Sequence, residues 1–349
     1  MQKIKTGLCS FGMSGSVFHA PLIETHAGYE LVSICRRSSS APLEGYPQTA
    51  IVQSLEELLA QDLELVIVNT PNHLHHAHVQ AALLAGKHVV VEKPFTVTTQ
   101  EADNLLELAT KQGLVLSVFH NRRWDSDFLT VKQVIAEGLL GKLVDCRAHY
   151  DRYRNYIQPN TWKEEPVSGG GLLYNLGSHL IDQALVLFGL PRQLFAHLRT
   201  QRNGGIVDDN FELILDYEGL KVSLNSGYLV REPYPRFSLH GTLGSFIKYG
   251  LDVQEEDLKQ GKTPGSPNWG QEPAAIWGQL HTQVGGLALG GTVESMRGNY
   301  LTFYDELYGA ISQGGPAPVS AAQARQVVRL IELAHQSHRQ GRMLPVVES

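Results

Sequence analysis

The residues of this chain best suited to acid–base chemistry lie on a predicted helix that follows a glycine run at 169–171. Asn175, His179 and Asp182 are spaced i, i+4 and i+7, and residues at this spacing share one face of a helix. A histidine titrates near neutral pH, so His179 can take the proton of a hydroxyl group as hydride leaves the carbon. Asn175 can orient a hydroxyl, but an amide cannot carry the proton. The alternative is a polar stripe on an otherwise apolar helix, without a catalytic role.

A lysine before a proline is the second candidate for chemistry. Lys93 lies in the triplet Glu92-Lys93-Pro94, directly after the apolar run at 88–91 that predicts a buried strand. The residue before a proline is held in an extended conformation, which places the lysine at the carboxyl end of this strand. Its ammonium can hold a substrate hydroxyl, ease its ionisation and donate a hydrogen bond to the carbonyl product. The alternative is a solvated surface cation.

A glycine-containing turn predicts a dinucleotide site. The sequence S-x-G-x-x-G at 10–15 follows a predicted strand at 4–9 and opens a predicted helix at 14–25. In this setting the backbone can approach a pyrophosphate, and the helix N-terminus offers free N–H groups. We therefore predict cofactor contacts from Gly12, Ser14 and Gly15, although Ser10 stands where the first glycine is usual. The alternative is a glycine-rich loop that only caps the helix.

The end of the second predicted strand, at 31–35, indicates which dinucleotide binds. Arg36, Arg37 and Ser38 follow this strand, and no Asp or Glu occurs between positions 31 and 43. A carboxylate here would bind the ribose 2′-hydroxyl of NAD, whereas guanidinium and hydroxyl groups bind a 2′-phosphate. The sequence therefore favours NADP (NADPH) over NAD. The alternative is that the arginines are solvated surface residues.

Further cofactor contacts are expected after the predicted strand at 65–68. Thr70, Pro71 and Asn72 follow this strand at the sheet edge where doubly wound proteins bind ligands. The histidine-rich run at 73–78 contains no carboxylate or cysteine, so we predict no metal there and expect His75 to line the cofactor cleft instead. Glu92 and Lys93 are also predicted to contact the cofactor.

The elements that must position these residues change character near position 121. Before it, short buried strands alternate with helices, two of which open on capping boxes at 54–57 and 98–101. This alternation predicts an α/β domain with a parallel, doubly wound sheet of the Rossmann type. After it, a hairpin at 211–217 and 220–226 predicts an α+β domain with a mostly antiparallel sheet, and the segment 250–298 is interpreted as long loops. We predict a cofactor domain at 1–122 and a catalytic and oligomerisation domain at 123–349, with the last helix packed on the first domain.

Composition excludes several classes of function. A chain of 349 residues with 42% hydrophobic and 18% charged residues predicts two packed domains rather than a disordered chain. The net charge of −6 argues against nucleic acid or anionic lipid as a partner. Three scattered cysteines predict neither a disulfide framework nor a metal site, which favours a reducing, cytoplasmic setting. The short apolar N-terminal run predicts neither a signal peptide nor a membrane span.

Taken together, the glycine turn, the Glu-Lys-Pro triplet and the helix with His179 resemble the glucose–fructose oxidoreductase / inositol dehydrogenase (Gfo/Idh/MocA) family. The resemblance covers nearly the whole chain. The segments that narrow it to the NADP-linked scyllo-inositol 2-dehydrogenase branch lie at 18–21, 117–128, 177–183, 246–250 and 269–270.

The resemblance implies a fold and a set of residue roles. It implies a Rossmann domain, a C-terminal α/β domain with an open antiparallel sheet, and homodimers or higher homo-oligomers formed across that sheet. Lys93 and His179 match the family's catalytic lysine and histidine, whereas Asn175 stands where the family usually has an aspartate. By the same resemblance, residues of the turn after the first domain approach the cofactor: Asn121, Arg123 and Trp124.

The function that follows is an NADP-dependent dehydrogenase or reductase acting on a small-molecule cyclic polyol or sugar, with scyllo-inositol as one candidate substrate. The alternative is an NADP(H)-binding sensor without turnover. Ser10 and Asn175 motivate this alternative, because both depart from the usual residue at a functional position.

Overall fold

The chain forms two compact units in the computed structural model, which describes residues 2–37, 41–159 and 161–347. The first unit comprises residues 1–121, 254–269 and 299–326, and the second comprises 122–253, 270–298 and 327–349. The predicted division into 1–122 and 123–349 therefore differs from these units in residues 254–269 and 299–326. The predicted cofactor contact Ser38 lies outside the described residues.

The sheet of the first unit is parallel throughout, as predicted. The runs at 65–68 and 89–91 are apolar throughout and buried, which fits strands covered on both faces. The strands are β1 Ile4–Leu8, β2 Tyr29–Cys35, β3 Ala50–Val52, β4 Leu65–Val68, β5 His88–Val91 and β6 Leu116–Val118. Their order is β3-β2-β1-β4-β5-β6, so the direction of winding reverses between β1 and β4. Ligands of doubly wound folds bind at the carboxyl ends of the strands at this reversal.

Helices alternate with these strands and continue into the second unit. The predicted cap at Ser54 accepts the backbone N–H of Glu57, and Thr98 and Glu101 form a reciprocal capping box. The described α-helices are α1 Ala20–Thr25, α2 Leu55–Leu59, α3 His75–Leu84, α4 Thr99–Gln112, α5 Ser126–Ala136, α6 Ser178–Phe188, α7 Gln254–Lys259, α8 Leu301–Gln313 and α9 Ala321–Gln340.

The second sheet is mostly antiparallel and open at both edges, which confirms the fold class. Its strands are β7 Leu143–His149, β8 Gln193–Arg199, β9 Asn210–Tyr217, β10 Leu220–Gly227, β11 Phe237–Gly241, β12 Ser245–Lys248, β13 Gly278–Val284, β14 Leu287–Val293 and β15 Leu344–Pro345. They are ordered β14-β13-β12-β11-β7-β10-β9-β8-β15. The predicted hairpin is β9 and β10, and β10 pairs with β7 in parallel, so these two strands end at the same edge of the sheet.

The prediction of long loops between 250 and 298 was wrong. This segment contains α7 and the antiparallel hairpin β13–β14. Gly285 and Gly286, which suggested a loop by composition, form the hairpin turn with φ of 57° and 84°. Positive φ at both central residues is what a tight hairpin turn requires, and glycine adopts it without steric cost.

Two of the helices next to candidate site residues, α1 and α6, begin with a π-helical turn. The turn at Ser14–His19 leads into α1, and the backbone N–H of Ala20 binds the carbonyl of Gly15. The turn at Leu173–Gly177 leads into α6, and the N–H of Ser178 binds the carbonyl of Leu173. These i to i+5 bonds replace the i to i+4 bonds of the predicted α-helices. Short π-helical turns occur preferentially at functional sites.

Candidate active site

The glycine turn of the first unit is fixed to the end of β4 by one asparagine. The backbone N–H of Ser10 donates to Oδ1 of Asn69 at 2.8 Å, and Nδ2 of Asn69 donates back to the Ser10 carbonyl at 2.9 Å. The Ser10 hydroxyl donates to the Asn69 carbonyl at 2.9 Å. The serine that departs from the glycine pattern thus adds a hydrogen bond between β1 and β4. Sequence reasoning missed Asn69, although a polar residue directly after a buried strand was a usable signal.

The two glycines of this turn have different surroundings. A Cβ atom at Gly15 would lie 2.4 Å from the Ser10 carbonyl oxygen and 2.9 Å from Nδ2 of Asn69, so only glycine fits there. A Cβ atom at Gly12 would have no heavy atom of the described protein within 4 Å. Gly15 is therefore required by packing, whereas Gly12 leaves the backbone open to approach by a ligand.

A cavity of about 410 Å³ lies at the carboxyl ends of the first unit's strands. Its size is in the range of small-molecule sites. Among the described residues that line it there are two arginines and no carboxylate, so its wall is electropositive. The lining residues are Cys9, Ser10, Phe11, Gly12, Cys35, Arg36, Arg37, Thr70, Pro71 and Leu74. The structure thus brings together the predicted glycine turn, arginine pair and Thr70-Pro71 segment, a set that fits the phosphates of a dinucleotide.

His75 connects the segments that follow β4 and β5. Its ring is fully buried, with Nδ1 2.9 Å from the carbonyl oxygen of Pro94 and Nε2 2.8 Å from that of Thr70. Burial lowers the pKa of His75 against the opposing effect of these two carbonyls. Because it is not among the residues that line the cavity, its predicted contact with the cofactor stays a prediction. Asn72, three residues earlier, is also buried, in the 3-10 turn that precedes α3.

The triplet at the end of β5 is held by a buried histidine. Nε2 of His19 lies 3.2 Å from Oε1 of Glu92, and Nδ1 of His19 lies 2.7 Å from the hydroxyl of Tyr304. The second carboxylate oxygen of Glu92 accepts the backbone N–H of Lys93 at 3.2 Å, and the bond from Lys93 to Pro94 is cis. Burial alone would raise the pKa of Glu92, but the hydrogen bond and charge of His19 and the charge of Lys93 lower it overall. Glu92 is therefore a carboxylate directly beside the candidate lysine.

In the second unit, the two candidate side chains each contact a tyrosine. His179 is 5% exposed, and its ring stacks on that of Tyr150 with centroids 6.3 Å apart and an interplanar angle of 20°. Nδ2 of Asn175 donates to the hydroxyl of Tyr228 at 3.4 Å. Tyr150 and Tyr228 directly follow β7 and β10, whose parallel pairing brings their carboxyl ends to one edge. Sequence reasoning missed both tyrosines.

The third residue of the predicted stripe has a structural partner. Asp182 accepts two hydrogen bonds from Arg123, from Nη2 at 2.7 Å and from Nε at 2.9 Å. This bidentate ion pair, together with a hydrogen bond from Gln183 to the carbonyl of Arg122, fixes the 3-10 turn at 121–124 onto α6. For Asp182 the alternative of a non-catalytic polar residue is the better interpretation.

The predicted residues divide between the units. Within the described part of the chain, no group of three or more His, Cys, Asp and Glu side chains is arranged to hold a metal ion. None of the helices described there is both long enough and apolar enough to cross a bilayer. The first unit contains Gly12, Ser14, Gly15, Arg36, Arg37, Thr70, Pro71, Asn72, His75, Glu92, Lys93 and Asn121, and the second contains Arg123, Trp124, Asn175 and His179.

Two family models together match most of the chain. The model of the Gfo/Idh/MocA oxidoreductase family described as its NAD-binding Rossmann fold matches residues 4–120. The model described as the family's C-terminal alpha/beta domain matches residues 132–347.

Individual relatives agree with the family models. The scyllo-inositol 2-dehydrogenase (NADP(+)) IolW of Bacillus subtilis (strain 168) is 41% identical over 342 residues, which cover 98% of this chain and 95% of the relative. The 1,5-anhydro-D-fructose reductase of Ensifer adhaerens is 29% identical over 65% of this chain and 71% of the relative. Among solved structures, the yvaA protein of Bacillus subtilis superposes with a TM-score of 0.96 at 40% identity, covering 99% of both chains. An oxidoreductase from Bacillus cereus superposes with a TM-score of 0.90 at 33% identity, also over 99% of both chains.

Proposed function

We propose a reaction for this protein from one premise: the chain belongs to the Gfo/Idh/MocA family of oxidoreductases. The protein transfers hydride between NADP(H) and a secondary alcohol or ketone of a cyclic polyol or sugar. The observation that carries this proposal is the cavity at the end of β1, β2 and β4, which joins the glycine turn to Arg36 and Arg37.

The choice of NADP rests on charge. A 2′-phosphate is doubly charged near neutral pH, and two guanidinium groups in the cavity wall favour it by charge-assisted hydrogen bonds. The described lining residues include no carboxylate that could bind the 2′-hydroxyl of NAD. The relative at 41% identity is named for NADP(+), which supports the same choice.

The protein's own residues supply binding and proton transfer. When bound, the nicotinamide ring accepts the hydride that leaves the substrate carbon. We assign His179 to take the hydroxyl proton, with its ring orientation set by the stack on Tyr150. We assign Lys93 to hold the substrate oxygen, with Glu92 beside it as the counter-charge, and Asn175 to orient a hydroxyl. In the reverse direction His179 returns the proton to the carbonyl oxygen.

Cofactor choice gives the first test. We expect kcat/KM for NADPH to exceed that for NADH in the wild type, and Arg36→Asp with Arg37→Asp to lower the NADPH value by roughly 10- to 150-fold through loss of charged hydrogen bonds. Lys111→Asp is the control, because it makes the same charge change per substituted residue at an exposed position of the first unit. Equal affinities of the wild type for NADPH and NADH would overturn the assignment of NADP.

Proton transfer gives the second test. His179→Ala and Lys93→Ala are each expected to lower turnover on polyols and sugars by roughly 100-fold or more, while NADPH binding is retained. Undiminished turnover in either variant would overturn that residue's role. The non-catalytic sensor is not favoured, because the relatives with named functions are enzymes and Ser10 contributes to the turn. The homo-oligomeric state and the cytoplasmic setting stay predictions.

A further inference from the structure

Guanidinium groups surround the two tyrosines that contact the candidate catalytic residues of the second unit. The ring of Tyr150, which stacks on His179, has three of them within 6 Å of its centroid. They belong to Arg122 at 5.4 Å, Arg152 at 5.7 Å and Arg236 at 5.2 Å. An aromatic face attracts a guanidinium and holds its plane in one orientation.

The ring of Tyr228 has two such neighbours. The guanidinium carbon of Arg202 lies 4.6 Å from the ring centroid, and that of Arg154 lies 5.6 Å from it. The hydroxyl of the same tyrosine accepts the hydrogen bond from Asn175. Both rings therefore have a candidate catalytic residue on one side and arginines around them.

Three of these five arginines are neutralised by carboxylates. Each of the three is at most 6% exposed, as expected for cations that have a partner. The pairs are Arg122 with Asp125 at 3.5 Å, Arg236 with Asp127 at 3.1 Å, and Arg202 with Glu164 at 2.7 Å and Asp209 at 2.9 Å.

Arg152 and Arg154 differ from the other three. Neither has an ion-pair partner among residues 2–37, 41–159 and 161–347, and both are partly exposed. The intervening carboxylate of Asp151 has other contacts, because it accepts the backbone N–H of Gly227 at 3.0 Å and lies 3.1 Å from Nδ1 of His149. Two positive charges are thus left uncompensated beside the candidate site of a chain whose net charge is −6.

The backbone at 150–154 is held against the end of β10. The N–H groups of Tyr150, Arg152 and Arg154 donate to carbonyls at the end of β10, at distances of 3.0, 3.0 and 2.7 Å. Alternate residues of an extended segment project to the same side, which agrees with the position of Arg152 over the Tyr150 ring. Tyr153, on the other side, has its own guanidinium neighbour, the exposed Arg231, at 4.2 Å.

We propose that Arg152 and Arg154 bind an anionic group of the substrate, a carboxylate or a phosphate. The substrate is then a sugar or cyclic polyol that carries an acidic substituent away from the carbon that is oxidised. Guanidinium groups that already lie over aromatic rings can donate hydrogen bonds to an oxoanion with little loss of side-chain freedom. The reaction in this inference rests on the proposed function, whereas the binding of the anion does not depend on it.

The test compares matched substrates and matched variants. Oxidation of glucose, glucuronate and glucose 6-phosphate is followed by NADPH formation in the wild type, Arg152→Gln, Arg154→Gln and the double variant. Arg231→Gln is the control, since it removes a similarly stacked charge from the other side of the segment. We expect one of the two acidic sugars to have a kcat/KM roughly 10-fold or more above that of glucose, mainly through KM. The better acidic sugar identifies carboxylate or phosphate as the ligand.

The variants decide the outcome. We expect the double variant to lose the preference for the acidic sugar over glucose, and Arg231→Gln to keep it. Equal kcat/KM for all three sugars in the wild type, or equal losses for neutral and acidic sugars in the double variant, would overturn the inference and leave the proposed hydride transfer intact.

A binding experiment distinguishes the anion-binding inference from the proposed hydride transfer. Calorimetric titration of NADPH-saturated protein with glucuronate and with inorganic phosphate measures anion binding without turnover, and saturation excludes phosphate from the cofactor cavity. Anion binding that is lost in the double variant and kept in Arg231→Gln supports the inference even if no sugar is oxidised. The absence of sugar oxidation would count against the proposed function alone. No binding of either anion would overturn the inference.

Discussion

Replacement by alanine at the two glycines of the cofactor turn is expected to affect different properties, stability at Gly15 and NADPH binding at Gly12. In Gly15→Ala the new methyl group meets the Ser10 carbonyl at 2.4 Å, far inside contact distance, and this oxygen cannot move without disturbing the hydrogen bonds to Asn69. Overpacking of this kind costs about 1–3 kcal/mol, against a gain of about 0.5–1 kcal/mol for alanine over glycine in a helix. We expect Gly15→Ala to lower the free energy of unfolding by about 1–2 kcal/mol.

In Gly12→Ala the methyl group meets no protein atom within 4 Å. The free energy of unfolding should therefore stay within about 0.5 kcal/mol of the wild type. However, the methyl group occupies the space that we assign to the pyrophosphate of the cofactor. A steric cost of about 1–3 kcal/mol corresponds to roughly 5- to 150-fold weaker binding of NADPH.

Urea unfolding followed by circular dichroism measures the first quantity, and fluorescence titration with NADPH measures the second. Gly309→Ala is the matched control, because this position lies within α8 of the same unit and also has nothing within 4 Å of a new Cβ atom. It should gain up to about 1 kcal/mol of stability and bind NADPH normally. Wild-type affinity in Gly12→Ala would refute the assignment of this turn to the pyrophosphate. Wild-type stability in Gly15→Ala would refute the packing argument.

Three further predictions concern the second unit, and urea unfolding measures each. Gly171→Ala and Gly189→Ala both force alanine into positive φ, at 89° and 72°, but only at Gly171 does the Cβ atom meet a neighbour, Oδ1 of Asp208 at 2.1 Å. Gly189, with φ 72° and ψ −157°, lies in a region that is nearly restricted to glycine, so we expect a loss of about 1–3 kcal/mol there. We expect at least about 1 kcal/mol more at Gly171, and equal losses would contradict this explanation. Burial raises the pKa of Asp208 from 3.8 to about 6, so its contribution to stability is complete below pH 3.8 and is lost as the pH rises through about 6. Asp208→Asn should therefore become more stable relative to wild type, by about 3 kcal/mol, between about pH 3 and pH 8, and a constant difference would argue against the raised pKa. Glu272→Gln removes the only carboxylate paired with the fully buried Lys248 among the described residues, and a loss of about 3–5 kcal/mol is expected, which Lys248→Met in the same chain should partly restore. A loss below about 1 kcal/mol would show that the pair is unimportant for folding.

Local pattern was sufficient to predict five of the six strands of the first sheet, whereas the short edge strand β3 Ala50–Val52 was not predicted. Runs such as Leu65–Val68 are apolar throughout and end at turns or polar residues, so their strand character does not depend on distant contacts. The hairpin β13–β14 was missed because its glycines at the turn and within β14 suggested a loop, whereas the ladder to β12 determines its structure. Strand structure in such a segment comes from pairing more than from intrinsic propensity.

The candidate site was predicted unevenly for a similar reason. Residue types with strong individual chemistry, such as His179 and Lys93, could be selected from sequence. The contact of His179 with Tyr150 and that of Glu92 with His19 depend on which strands and helices are neighbours, and these partners are distant in the chain. Asn69 is the intermediate case: its place after β4 could be predicted, but its bonds to the glycine turn follow from the pairing of β1 with β4.

The three-segment composition of the first unit has a consequence for synthesis on the ribosome. Its N-terminal segment already contains all six strands of the sheet, but two of the aromatic side chains that pack on Phe119 come from α8, where the ring centroids of Phe303 and Tyr304 lie 4.9 and 6.1 Å away. The hydroxyl partner of His19 comes from Tyr304, and the hydroxyl of Ser117 binds the carbonyl of Val319. The nascent sheet therefore leaves the ribosome long before its own core can close. An apolar surface at Phe119 stays open while some 180 further residues are translated, roughly 10–40 s at typical elongation rates, and is a natural binding surface for a chaperone during that interval.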